Sequence, residues 1–311
     1  MPASTQRKID EHYEAKEPIP ADQFIPRFLK RESKEAFKDK GNVGVRGFVC
    51  SDYSKVNPYL TLSDITVGPP LMFPDHPHCG HEMMMYVLDG AFTHEDHMGW
   101  TETFEQGDVH WMTTGKGIIH AQVPKEDSKP SRHVQFWINL PQNHKYCDPN
   151  NQVLRAAKTP VGKCGDAVYR LLTGKFEGKE SSLQTKTPIL IMDVRLPALG
   201  KTQLKIPGSF FVGLYVLEGK GSVPGTINLK KNSIVLSKPD SSSESLLELE
   251  TKEEGLRLLL FAGEPINEPM EFDGYFVCLS KDDTNKAIND FDKGEGPFVA
   301  SRAWSSKIAN K

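Results

Sequence analysis

The chain is poor in the features that mark several large classes of protein. Its 311 residues include five cysteines, an odd number. Cys50, Cys79, Cys147, Cys164 and Cys278 are widely spaced and form no C-x-x-C, so neither a disulfide framework nor a zinc ribbon is indicated. A reducing compartment, cytosol or nucleus, is the default expectation. Long apolar runs are missing. The longest, Phe210 to Leu217, is interrupted by Gly213 and is far too short to cross a membrane. Met1 to Pro20 is polar and lacks the apolar core of a secretory signal. Net charge is only −3, and the 38 lysines and arginines are scattered without a nuclear-localisation cluster. That argues against direct nucleic-acid binding, which needs clustered cations against phosphate.

Histidine is scarce in an informative way. Nine of the ten fall between His76 and His144, and none follows. Imidazole is the commonest protein ligand for a transition metal, so the crowding points to a metal in that part of the chain and to none in the second half.

Residues 1–40 read as an N-terminal arm, charged and poor in large apolar residues. From Gly44 onward short apolar or alternating runs recur between Gly, Pro and Asp: Val45–Cys50, Met83–Leu88, Asp108–Met112, Ile118–Val123 and Val134–Leu140. Many short strands between turn signals predict an all-β barrel or sandwich. Residues 146–186 read as linker and connecting strands. A second strand series over 187–311 follows, with a short helix expected over Ala287–Asp292 and a tail. Tyr86-Val-Leu-Asp-Gly90 in the first series is echoed by Tyr215-Val-Leu-Glu-Gly219 in the second. The echo predicts two β-barrels in tandem, a duplication. The same offset places Lys205 and Pro207 where the first copy has His76 and His78, so the second barrel is expected to carry no metal.

Alternate side chains of a strand share a face. His76 and His78 therefore point one way, followed on that row by Gly80 and Glu82. In the run Ile118–Val123 the same parity aligns His120 with Gln122. If the two strands are neighbours, His76, His78 and His120 converge on one ion, with Glu82 or Gln122 as a further donor. An H-x-H pair also arises by chance, and a strand histidine is often only hydrogen-bonded. The glycine turn Gly115-Lys-Gly117 just before His120 favours the metal reading. The remaining histidines read as ordinary. His94 and His97, beside Glu95 and Asp96, suggest a solvated polar loop. His81 should face away from His78, and His110, His133 and His144 should be partly exposed. Cys79 points away from the row and reads as an inert thiol, although one oxidisable beside a redox metal.

Several blocks resemble the pirin family of the cupin superfamily: Phe73-Pro-Asp-His-Pro-His-Cys-Gly80, His94-Glu-Asp96, Gln106 through Pro124 with Gly-Lys-Gly-Ile-Ile-His120, Gly263-Glu-Pro-Ile-Asn-Glu-Pro269 and Trp304-Ser-Ser-Lys307. The resemblance implies a bicupin with one iron, Fe(II) or Fe(III), in the N-terminal barrel (41–145), or another divalent transition metal. The implied ligands are His76, His78, His120 and position 122. Pirins usually have glutamate there, and this chain has Gln122; Cys79 stands where arginine is usual, and His81 where an aromatic is usual. Gln122 can coordinate through its carbonyl oxygen but adds no charge and cannot act as a base. Glu82, placed as the acidic ligand of the wider cupin motif H-x-H-x3-E, is the candidate catalytic carboxylate. The resemblance implies one of two activities. One is a quercetin or flavonol-type dioxygenase binding a flavonol-like molecule in the N-terminal barrel. The other is a non-enzymatic, iron-dependent regulator of a protein partner, as transcription co-regulator or signalling component. Cytoplasmic or nuclear residence goes with either.

Overall fold

The computed structural model describes residues 28–32, 34–39, 43–49, 56–69, 71–125, 129–239 and 244–309. The first half forms two facing sheets. One is assembled from β2 (Lys34–Asp39), β3 (Val43–Val49), β4 (Tyr59–Val67), β6 (His81–Asp89), β9 (Val109–Thr113), β11 (Ser131–Asn139) and β12 (Asn150–Leu154), in the order β12-β9-β6-β11-β4-β3-β2. The other is β5 (Phe73–His78), β10 (Ile118–Pro124), β7 (Ala91–Asp96) and β8 (Thr101–Glu105), in that order.

The second half repeats the plan. Its large sheet runs β1 (Phe28–Glu32), β21 (Ser233–Ser237), β19 (Phe211–Val223), β23 (Leu256–Gly263), β17 (Ile189–Leu196), β14 (Ala167–Thr173) and β13 (Val161–Cys164). β18 (Lys201–Pro207), β20 (Ile227–Lys230) and β22 (Glu244–Glu250) complete it. Two hairpins, β15–β16 (Lys175–Phe176, Lys179–Glu180) and β24–β25 (Glu271–Asp273, Phe276–Cys278), stand apart. The fold is thus all-β with two barrels.

The residues expected as an arm divide. Residues 1–27 lie outside the described residues, but 28–32 form an edge strand of the second barrel and 34–39 one of the first. Within the expected linker, β12 belongs to the first barrel and β13 and β14 to the second.

Burial explains the sequence patterns. In β18 alternate residues Thr202, Leu204 and Ile206 face inward while Lys205 and Pro207 are exposed, the half-buried pattern of a strand with one wet face. The positions matching His76 and His78 therefore point to solvent. In β6 both faces are buried, which is why Met83–Leu88 is a continuous apolar run. Met83, Met85 and Val87 face their own barrel; Met84, Tyr86 and Leu88 join Phe136, Trp111, Phe211, Tyr215, Leu259 and Phe261 in a core shared by both barrels.

The repeated Tyr-Val-Leu motif marks a pseudo-symmetric seam in that core. Tyr86 donates to Asp193 at 2.8 Å, and Tyr215 donates to Asp64 at 2.6 Å. Each aspartate is also gripped by an arginine of its own barrel, Asp64 by Arg132 at 2.9 and 2.7 Å and Asp193 by Arg257 at 3.1 and 2.8 Å. Each tyrosine thus satisfies the other barrel's buried ion pair. A hydrogen bond to a charged group contributes about 1.5–3 kcal/mol. Tyr215→Phe is expected to lose that much stability in urea unfolding; an unchanged midpoint would remove the seam from the energetics.

The C-terminal segment turns back to the first barrel. Helix α1 (Lys281–Lys293) is longer than Ala287–Asp292, because Ser280 caps it by accepting from the Asp283 N–H and Gly294, at φ 62°, ends it. A 3-10 segment (Gly296–Arg302) follows. The tail then reaches β5 and β7. Asp75 accepts from the Ser306 N–H, and Glu95 accepts from the Ser306 hydroxyl and from the N–H groups of Lys307 and Ile308. Among the described residues no helix is long and apolar enough to cross a membrane.

Candidate metal centre

β5 and β10 are antiparallel neighbours with His76 opposite His120 and His78 opposite Ile118. Since His76 and His78 share a face, three imidazoles meet. One ring nitrogen from each of His76, His78 and His120 lies within 4.8 Å of the others, and ring centroids are 4.3–5.0 Å apart. His78 and His120 are fully buried.

The nitrogens fit a cation. Both ring nitrogens of His78 and Nε2 of His120 are buried with no hydrogen-bond partner. Unpaired buried polar atoms are costly and call for a partner. His76 Nδ1 lies 2.7 Å from the Pro74 carbonyl oxygen, which fixes the Nδ1–H tautomer and leaves the Nε2 lone pair free. Burial holds all three rings well below the usual histidine range, His76 at about 4. They are neutral donors at physiological pH, as ligation requires.

A second layer orients His120. Its Nδ1 is 3.2 Å from His94 Nδ1, and His94 Nε2 is 3.4 Å from Asp96 Oδ2. Burial works against the Asp96 carboxylate, but His94, the Trp100 N–H and Asn151 outweigh it and hold the group below the usual carboxylate range. Asn151 donates to Asp96 at 2.6 Å and receives His110 Nε2 at 2.9 Å. The chain His120–His94–Asp96 leaves His120 Nε2 aimed at the cluster. His94 and Asp96 are on β7, not in a solvated loop, and both are fully buried. Their strand alternation puts Glu95 outward, where the tail binds it. His110 and His133 are also buried rather than partly exposed.

Aromatic side chains pack around the cluster. Tyr275, from the turn of the β24–β25 hairpin, lies 5.3 Å from His76 and 5.1 Å from His78. Trp137 meets His78 edge-on at 5.0 Å and stacks on His81 at 4.6 Å. His81 does not face away from His78; the rings are 5.2 Å apart. The reason is Gly80. Its φ is +80°, which ends β5 and restarts strand parity at His81, and a Cβ there would lie 1.7 Å from the Val277 carbonyl oxygen.

The same break redirects Glu82. It lies on the Met84–Tyr86 face, where it accepts from Trp111 Nε1 at 3.0 Å, Thr113 Oγ1 at 2.8 Å and the Lys186 N–H at 3.2 Å. The structure does not bring it to the imidazoles: the clustered histidine, cysteine and carboxylate donors are His76, His78 and His120 alone among the described residues. This corrects the continuous row from His78 to Glu82. Gln122 is buried two residues beyond His120, past an irregularity in the β5 pairing, with Nε2 against Met85 Sδ. Gly117, at φ +147°, gives the turn before His120 its shape and leaves room for the Phe298 ring, 2.6 Å from where a Cβ would stand.

Two barrels with one three-histidine cluster in the first define a bicupin with, among the described residues, a single candidate metal centre. Residues 30–138 match the family profile described as Pirin, and residues 191–302 the one described as Pirin C-terminal cupin domain. The chain belongs to the pirin family. It is 34% identical to Pirin-like protein 2 of Arabidopsis thaliana, over 86% of this chain and 84% of that protein. It is 31% identical to Pirin of Homo sapiens, over 83% and 89%. Among solved structures it is similar to a quercetin 2,3-dioxygenase from Acinetobacter baumannii, with TM-score 0.76 and 26% identity over 87% of this chain and 98% of that one.

Proposed function

We propose that the N-terminal barrel holds one iron ion, as Fe(II), on His76, His78 and His120, with the Gln122 amide oxygen as fourth donor, and that the chain is a flavonol-type dioxygenase. The observation that carries this reading is the set of neutral, partner-free imidazole nitrogens packed beside Tyr275 and Trp137. Bound there, the ion would supply Lewis acidity toward a phenolic oxygen and one-electron chemistry toward dioxygen. The residues supply the rest. His94 and Asp96 hold His120 in its ligating tautomer. Trp137 and Tyr275 offer flat faces to a planar polyphenol and exclude water from it.

One observation favours a second reading, an iron-dependent regulator of a protein partner. The cluster contains no carboxylate, and Glu82 is tied elsewhere. A positioned general base contributes about 10²–10⁴-fold. Iron-loaded protein with quercetin should therefore take up oxygen faster than free iron, and Gln122→Glu should be at least about 10²-fold faster than the parent. Oxygen uptake no faster than free iron in both proteins, with iron bound, would discard the enzyme and leave the regulator.

A further inference from the structure

We infer that the C-terminal tail is a strap that governs metal exchange: Ser306, bonded to Asp75 and Glu95, ties β5 to β7 across β10 and so holds His76 and His78 against His120. The strap acts on the metal site proposed above and rests on it.

β10 lies between β5 and β7, with His120 opposite His76 on one side and Ala121 opposite Glu95 on the other. Alternate side chains of a strand take opposite faces. His76, His120 and His94 point into the barrel, so Asp75, Ala121 and Glu95 lie on its back, the two carboxylates on either side of a methyl group. The tail crosses there. The Ser306 N–H donates to Asp75, at 3.3 and 3.1 Å to its two oxygens. The Ser306 hydroxyl donates to Glu95 Oε2 at 2.8 Å, and the N–H groups of Lys307 and Ile308 donate to the same oxygen at 2.8 and 3.2 Å. The Ser306 oxygen in turn accepts from the Ile308 and Ala309 N–H groups at 3.3 and 3.1 Å, which curls the segment over Glu95. Ser306 is 1% exposed and Glu95 8%. Just upstream, Phe298 and Trp304 pack in one apolar cluster with Ile119, the outward neighbour of His120. One continuous stretch of chain thus backs all three strands.

β5 is where such a tie matters. It is the edge strand of its sheet, paired with β10 alone among the described strands, and that pairing becomes irregular after His120. A strand held on one side opens locally at lower cost than one held on both. Two anchors flank its histidines. Beyond His78, Cys79 is bridged to Phe276 of the β24–β25 hairpin. Before His76, Asp75 is held by Ser306. Releasing Ser306 frees the end of β5 that adjoins His76. It also strips three donors from Glu95, the residue between His94 and Asp96, and hydrogen bonds to a carboxylate are about twice as strong as neutral ones. His76 must separate from His120 before a bound ion escapes, so the ease of opening this end sets the rate of exchange.

The test uses the full chain, loaded with zinc, as parent, Ser306→Pro, Ser306→Ala and Lys307→Ala. Proline removes both the N–H that Asp75 accepts and the hydroxyl that Glu95 accepts. Alanine removes only the hydroxyl. Lys307→Ala keeps its main-chain N–H and is the control. Zinc extraction by excess chelator should be at least about tenfold faster from Ser306→Pro, faster by a smaller factor from Ser306→Ala, and unchanged in Lys307→Ala. With cobalt(II) in place of zinc, Ser306→Pro should show altered visible intensity at full occupancy, the sign of a shifted His76, which a tail serving only global stability would not produce. Urea unfolding of the metal-free proteins measures that stability. A lowered midpoint with the parent's extraction rate and cobalt spectrum would make the tail merely structural and overturn the strap. Equal extraction from parent and Ser306→Pro, each holding one equivalent of zinc, overturns the strap and leaves the site standing. A parent that binds no zinc overturns site and strap together.

Discussion

Removing one imidazole of the triad, as in His120→Ala, is expected to reduce bound metal from about one equivalent per chain to less than about a tenth after desalting. The expectation follows from donor counting. His76, His78 and His120 are the clustered potential ligands among the described residues, and no carboxylate stands ready to replace a lost nitrogen. The supporting layer should matter less. Asp96→Asn leaves all three imidazoles and removes only the charge that orients His94 and, through it, His120, so affinity should fall about 10–100-fold, the usual cost of losing such a partner. Cobalt(II) substitution reads the difference directly: Asp96→Asn should retain a visible spectrum with altered intensity, and His120→Ala should lose it. Glu82→Gln should retain full metal while losing stability, because its carboxylate serves Trp111, Thr113 and the Lys186 N–H. Full occupancy in His120→Ala would remove the centre altogether. Loss of metal in Glu82→Gln would return that carboxylate to the site.

The contrast between His120 and Glu82 also shows what the chain makes legible. The triad could be read from residue order because it needs only strand parity and one neighbour relation, both met by the β5–β10 pairing. Duplication was legible from Tyr86 and Tyr215, although not that each tyrosine crosses to the other barrel's aspartate. Glu82 was misread because parity was carried through Gly80, and only a backbone conformation, φ +80°, interrupts it. His94 was misread because charged neighbours look like a loop. In the fold their charges are satisfied from both sides, Asp96 by His94 and Asn151 inside and Glu95 by the tail outside. Alternation in Phe92-Thr-His-Glu-Asp96 was the available signal. Tyr275 was invisible for a different reason: its place over His76 depends on contact between residues about two hundred positions apart, which no local pattern encodes. The Trp-Ser-Ser-Lys block similarly gains its meaning only from Asp75 and Glu95.

Lowering the pH from about 7.5 to about 5 is expected to destabilise the metal-free protein severely, through histidines rather than carboxylates. His133 is held at about 4 and His81 at about 3, both by burial. An unfolded histidine titrates near 6.5. The unfolded chain therefore binds more protons than the folded one as pH falls below about 6.5, and stability falls with it. The contribution is complete above about 6.5 and is lost progressively down to the folded-state values. Each such histidine costs about 1.4 kcal/mol per pH unit inside that window. Between about 6.5 and 5, His133 and His81 together cost about 4 kcal/mol, and His94 and His110, lowered by burial in the same way, add to the loss. Total stability of a domain is about 5–15 kcal/mol, so Tm should fall steeply and the metal-free fold should fail near pH 5. Among the carboxylates Glu82, raised by burial, acts in the opposite sense: it takes up its proton in the fold and offsets part of the loss. Asp96 sits below its ordinary value, and an unfolded aspartate titrates near 3.9, so its contribution is lost only at lower pH. His133→Gln, which has no proton to take up, should flatten the dependence by about 1.4 kcal/mol per pH unit. Thermal melts of both proteins across that range decide the matter, and a parent Tm that stays level from pH 7.5 to 5 would mean that the buried rings are not held neutral.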